Sequence, residues 1–221
     1  MDNIQQTIDE LEKQISAMFS SESSGHDIYH LKRVLNLALH IQKKEGGDRF
    51  VVAVSAFLHD IHRILQKETG RYCSPKDSLP KVDEIIRNVG IKGEQAAKIL
   101  HCIELHEEYN FSKDGKTAKD IETLIVQDAD NLDAMGAVGI ARAFSYGGAH
   151  GVPIWNPNIP FSREVYDESE NDPSEIHHFY SKLFKLKDNM NTKIAKKMAI
   201  GRHKALKDFL KEFFKEWCGK I

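Results

Sequence analysis

The sequence has little cysteine and no pattern in what it has: Cys73, Cys102 and Cys218 are odd in number and far apart. That argues against a disulfide framework and suits a reducing compartment. Nothing approaches 18 consecutive apolar residues, so no membrane span is expected. The opening MDNIQQTIDELEKQISAMFS lacks the basic and apolar regions of a secretory leader, and a cytoplasmic protein is the plain reading. Charge of one sign is not in excess either. The formal net charge of −2 offers no long-range field for a nucleic-acid polymer or an anionic membrane. An anionic substrate would have to be drawn by local groups. Alternation of period two is also missing, so no strand or hairpin is expected.

What is present is helical periodicity from end to end. Ile4, Ile8, Leu11, Ile15 and Met18 line one helix face, and a break at SSESSG supplies cap and turn residues. Ile28, Leu31, Val34 or Leu35, Ala38 and Ile41 mark a second amphipathic helix that stops at Gly46-Gly47. Residues 50–65, FVVAVSAFLHDIHRIL, are apolar nearly all round at first and read as one buried helix. Further helices are expected over about 79–89, 92–109, 117–145, 174–190 and 191–217. From Tyr146 to Pro173 the chain carries four of its six prolines, with Trp155, Phe161 and Tyr166. A long Gly/Pro-containing loop of this kind is either a binding loop or a surface excursion. The 221 residues suffice for one large all-α domain, with a core over about 26–145 and C-terminal helices over about 174–217.

Eleven histidines are many for this length, and their placement is informative. His30 lies on the second helix, His59 and Asp60 are adjacent near the end of the buried one, and Asp130 opens a long apolar helix. A carboxylate following FVVAVSAFLH is costly unless it is paired or bound to metal. Imidazole with carboxylate suits Mn, Fe, Zn or a similar divalent ion. Neighbours on a helix point about 100° apart, so His59 and Asp60 reach one ion only near a helix end.

His30 within HDIYHLKRVLNLALHI, His59-Asp60 within AFLHDIHR and Asp130 within VQDADNLDAMGAVGIARAFSYGG resemble the HD-domain superfamily of metal-dependent phosphohydrolases. The likeness extends through HFYSKLFKLKDNMNTKIAKKMA to a bacterial subgroup of predicted HD hydrolases, of which one member looks to be a nucleoside triphosphate pyrophosphohydrolase. The resemblance implies an all-helical bundle holding one divalent ion, manganese, iron or a similar transition metal, with magnesium open, on His30, His59, Asp60 and Asp130. Such an ion acidifies water and polarises a phosphoryl oxygen, while Lys and Arg steady the phosphate.

Around that set, Asp60, His106 and Asp133 are candidate catalytic residues, and His26, Arg33, Arg63 and Lys187 are candidate substrate contacts. His26 precedes His30 by four residues and shares its face, or else sits in a capping turn. Arg33 and Asp27 are placed to orient ligands through an ion pair. His106 is favoured beside the substrate phosphate and His101 at the surface. Five residues apart on a helix, those two point in different directions rather than at one ion, and the pattern does not match a site for two metals. Asp133 shares a face with Asp130, placed to orient a ligand, to hold a substrate ribose or to satisfy a neighbouring Arg. In the guanosine-tetraphosphate hydrolase branch, Glu-Asp stands where this chain has Arg63 and Ile64, which argues against that activity. Lys187 belongs to a basic stripe with Lys182 and Lys185, and Asn191 is a candidate cap for the last helix. Aromatic residues at helical spacing in KALKDFLKEFFKEWCGK point to core packing or a homodimer.

The functional expectation is hydrolysis of a phosphorylated small molecule, foremost a nucleoside or deoxynucleoside triphosphate cleaved to monophosphate and pyrophosphate. A nucleoside monophosphate phosphatase and a nucleotide-sensing module without turnover are the alternatives. Retention of all four ligands favours catalysis.

Overall fold

A computed structural model describes residues 3–108, 111, 120–161 and 171–220, and the secondary structure among them is entirely helical. The chain runs through α1 (Asn3–Ile15), α2 (Ile28–Glu45), α3 (Arg49–Leu58), α4 (Ile61–Thr69), α5 (Pro75–Asn88) and α6 (Gly93–Leu105). It continues through α7 (Ile121–Asp133), α8 (Gly136–His150), α9 (Glu175–His178), a π-helical turn (Phe179–Leu183), α10 (Phe184–Asn189) and α11 (Lys193–Trp217). No described helix is long and apolar enough to cross a membrane.

The helix α3 explains its own composition. Asp48 caps it by accepting from the amides of Phe50 and Val51, and every residue from Val51 to Leu58 is buried. Its Val51, Val54, Phe57 and Leu58 join a core with α1, α5 and α6. Val52 and Ala56 face the other way, into a second core built with α2, α7 and α11. A helix wedged between two cores must be apolar all round, which is why it shows no amphipathic stripe. Truncating Phe57 to Ala would cost about 3–5 kcal/mol.

Three expected helices are broken. The stretch over 50–65 is two helices, because α3 ends at Leu58 and Asp60 takes φ −93°, ψ 12° before α4 begins. That conformation is sparsely populated and recurs at active sites. The helix expected over 117–145 is α7 and α8, separated at Ala134-Met135, with Gly136 at φ +73°; residues 117–119 lie outside the described set. The one expected over 174–190 is α9, the π turn and α10.

Asn191 is not the cap of α11. Thr192 is, accepting from Ala195, while buried Asp128 accepts the amides of both Asn191 and Thr192. In the Gly/Pro-containing segment, α8 reaches His150, and the amides of Glu175 and Ile176 donate back to Pro153 and Ile154. Trp155 packs on Phe213, Phe214 and Trp217, so the C-terminal aromatic stripe meets its own chain. Residues 162–170, Tyr166 among them, lie outside the described set.

Candidate metal centre

The break at His59-Asp60 lets two neighbours converge. Asp27 caps α2 by accepting the amide of His30, which sets that residue in the first turn facing α3 and α7. The Nε2 atoms of His30 and His59 stand 3.1 Å apart. Nε2 of His30 is 3.1 Å from Asp60 Oδ2 and 3.5 Å from Asp130 Oδ1. Nε2 of His59 is 3.6 Å from Asp60 Oδ1 and 3.7 Å from Asp130 Oδ1. All four side chains are buried.

The opposite ring nitrogens fix the tautomers. Nδ1 of His30 donates to Asp133 Oδ2 at 2.8 Å, and Nδ1 of His59 donates to the Ala56 carbonyl at 2.9 Å. Two Nε2 atoms are thereby turned on each other amid carboxylate oxygens, an arrangement that calls for a positive charge between them. Ligands at right angles about 2.1 Å from an ion lie roughly 3 Å apart, so the observed spacings suit a divalent metal.

The charge balance agrees. Burial opposes a charge on His59, but Asp60 and Asp130 overcome it and push its pKa up to about 9. Burial would raise the Asp60 and Asp130 carboxyls, yet the His59 ring holds both well below the usual range. The pocket thus collects positive charge, and without an ion a proton on His59 supplies it.

Asp133, expected to be catalytic, is committed elsewhere. It accepts from His30, from Arg33 Nε at 2.9 Å and from Arg33 Nη2 at 3.0 Å, and Arg142 Nη1 is 3.2 Å away. Burial raises its carboxyl, but those donors bring it well down. Its geometry is that of a residue positioning His30. Arg33, expected at the substrate, spends its fork on the same carboxylate.

His26 does reach the cluster, with Nδ1 2.7 Å from Asp60 Oδ2, and burial takes its pKa down to about 4. His106 is buried with its ring centroid 5.0 Å from that of His59, and burial lowers it to about 4 as well. Arg63 is ion-paired with Glu107. His101 is exposed and 3.1 Å from Asp120, away from the centre. Lys187 is not brought in: it pairs with its neighbour Asp188 and does not line the cleft beside the metal centre. Lys182, one turn and a half earlier on the π turn, does.

That cleft is lined by His26, Arg63 and Asp130 together with Arg142, Tyr146, Lys182, Asp172 and Glu175. Arg142 and Glu175 were not foreseen. Arg142 reaches the site because the chain reverses after α7, and its Nε donates to the Gly25 carbonyl at 2.9 Å. Glu175 is buried, and burial with the nearby Asp172 pushes its pKa up to about 8. No local motif marks either residue.

A family model described as the HD domain matches residues 27–135. YpgQ of Bacillus subtilis is 36% identical over 208 residues, spanning 93% of this chain and 91% of its own. A crystal structure of YpgQ in complex with ADP matches at a TM-score of 0.73 and 33% identity, covering 97% of this chain and 100% of that one. An HD-superfamily hydrolase from Bacillus thuringiensis matches at 0.70 and 34%, covering 97% and 98%. A Lactobacillus plantarum protein matches at 0.81 and 30%, with the same coverage of 97% and 98%. The chain belongs to the HD-domain family, and it is a metal-dependent phosphohydrolase.

Proposed function

We propose that the enzyme binds a nucleoside or deoxynucleoside triphosphate in the cleft beside His30, His59, Asp60 and Asp130 and releases monophosphate and pyrophosphate. The observation that carries this reading is the lining of the cleft, which brings Asp130 together with Arg63, Arg142 and Lys182 and with Tyr146 and Glu175. Three cations beside a metal centre suit a chain of phosphates, and an aromatic with a protonated acid suits a base or sugar. The structure of the relative YpgQ with ADP supports a nucleotide in this family.

The four ligands would hold one manganese or similar transition ion, the kind preferred by imidazole with carboxylate. When bound, that ion makes water more acidic and polarises a phosphoryl oxygen. The chain contributes the rest. Asp133 and Ala56 fix the ligand tautomers. His26 stays neutral near pH 7 and presents a proton acceptor held at Asp60. Arg142 and Lys182 counter phosphate charge along the wall.

Phosphorus NMR of the protein incubated with Mn²⁺ and mixed nucleoside triphosphates, beside an Asp60→Ala control, tests the reading. Pyrophosphate with monophosphate, absent in the control, is expected. Orthophosphate released from monophosphates instead would mean a phosphatase. Binding without turnover would mean a sensing module.

A further inference from the structure

Beside Asp60, three more side chains able to hold a metal converge, those of His62, His106 and Glu107. The Nδ1 of His62 lies 3.2 Å from the carbonyl of His59, and the Nδ1 of His106 lies 2.7 Å from that of Ile103. A carbonyl oxygen only accepts, so both Nδ1 atoms carry the hydrogen and each ring turns its Nε2 outward. Those two Nε2 atoms and Glu107 Oε2 are all buried without a hydrogen-bond partner. Yet Nε2 of His62 is only 3.3 Å from Glu107 Oε2. Polar atoms pressed together in a dry interior are costly unless a positive charge joins them.

Asp60 completes the group. One ligand atom from each of Asp60, His62, His106 and Glu107 lies within 4.8 Å of the others, and all four residues are buried. Arg63 holds the other oxygen of Glu107 through its Nη2, which leaves Oε2 turned toward the histidines. Two imidazoles and two carboxylates form a donor set for a divalent transition metal, and the carboxylates match its charge.

We propose that Asp60, His62, His106 and Glu107 form a second metal site, with Asp60 the carboxylate shared with the first. This rests on the reading of His30, His59, Asp60 and Asp130 as the first site. It also revises the sequence expectation of a single ion. Along the chain His101 is the histidine nearest His106, whereas the fold brings His62 and Glu107 to it. Arg63 and a doubly protonated His62 are the alternative source of positive charge here, and metal counting separates the two.

The test reconstitutes metal-free protein with saturating Mn²⁺, removes the excess, and measures manganese per chain together with the electron paramagnetic resonance spectrum. Two ions per chain with an exchange-coupled spectrum are expected for the wild type. His62→Ala and Glu107→Gln should each hold one ion with an uncoupled six-line spectrum, with helicity unchanged by circular dichroism. One uncoupled ion in the wild type would overturn the second site and leave the first standing. No bound manganese would overturn both. Two ions retained in both variants would overturn the assignment to these residues. Should a variant fail to fold, the wild-type count and spectrum decide.

Discussion

The Nδ1 of His30 donates to Asp133 Oδ2 across 2.8 Å, while the Nε2 of the same ring faces His59 at 3.1 Å. One carboxylate that touches no candidate substrate therefore decides which nitrogen of His30 is available to a metal. Asp133→Asn should keep much of the packing but weaken this orientation, lowering metal affinity about 10- to 100-fold. Calorimetric titration of Mn²⁺ into the metal-free variant measures it. Unchanged affinity would show that packing alone orients the ring.

Metal removal should cost stability as well as activity. A ligand that binds the folded state at about a hundred times its Kd adds about 2.7 kcal/mol. Chelation is thus expected to lower Tm by several degrees, restored by Mn²⁺ in calorimetry. Binding also displaces the proton that His59 holds up to about pH 9, so apparent affinity should climb as pH rises toward that value. Affinity independent of pH between about 6 and 9 would contradict this.

Glu175 carries a separate pH dependence. Its carboxyl is raised from 4.5 to about 8, first by burial and then by Asp172. Between those values the folded protein keeps a proton that the unfolded chain has released, so stability falls as pH rises through the window. Glutamine mimics the protonated acid. Glu175→Gln should raise Tm by roughly 5 °C near pH 8 and change it little near pH 4. An equal effect at both pH values would mean that packing, not ionisation, is responsible.

The cleft distinguishes two lysines five residues apart. Lys182 lines it and Lys187 does not. Lys182→Ala is expected to raise KM for a nucleoside triphosphate about tenfold, the order of one charge-assisted phosphate contact. Lys187→Ala should leave KM within about twofold, as an exposed pair with Asp188 contributes little. Steady-state kinetics of the two variants side by side would show it, and the reverse ranking would move the phosphates to the other end of α10.

Packing at the α7–α8 corner leaves no room for a methyl group. A Cβ on Gly139 would meet the Ala134 carbonyl carbon and oxygen at 2.3 Å, and that contact is with backbone. Gly139→Ala should destabilise by about 1–3 kcal/mol, measured by urea unfolding. Because α7 carries Asp130 and Asp133, the metal centre should loosen with it. A variant as stable as the wild type would mean the corner can relax.

Much of this was legible before any coordinates. The steps of three and four along α1 and α2, with Gly46 ending the latter, are local, and so is the wholly apolar run of α3. The Nε2 atoms of His30 and His59 each lie within 3.1–3.7 Å of the other and of an oxygen of Asp60 and of Asp130. Continuity is what the sequence hides: an apolar run does not say where it bends, and two of the three unforeseen breaks, at His59-Asp60 and at Ala134-Met135, lie beside the metal centre. Lys182, which lines the cleft, and Lys187, which does not, look alike as letters in one basic stripe.

The sequence by itself determined the helical class, the family and the identities of the residues that can bind an ion, because periodicity and donor chemistry belong to side chains in order. The tertiary structure alone decided which nitrogen each histidine offers, that Asp133 and Arg33 serve His30, and that Glu107 meets His62 and His106. Those outcomes depend on atoms from segments tens of residues apart arriving within hydrogen-bond distance in a dry interior, where an unpaired charge is too costly to leave to chance.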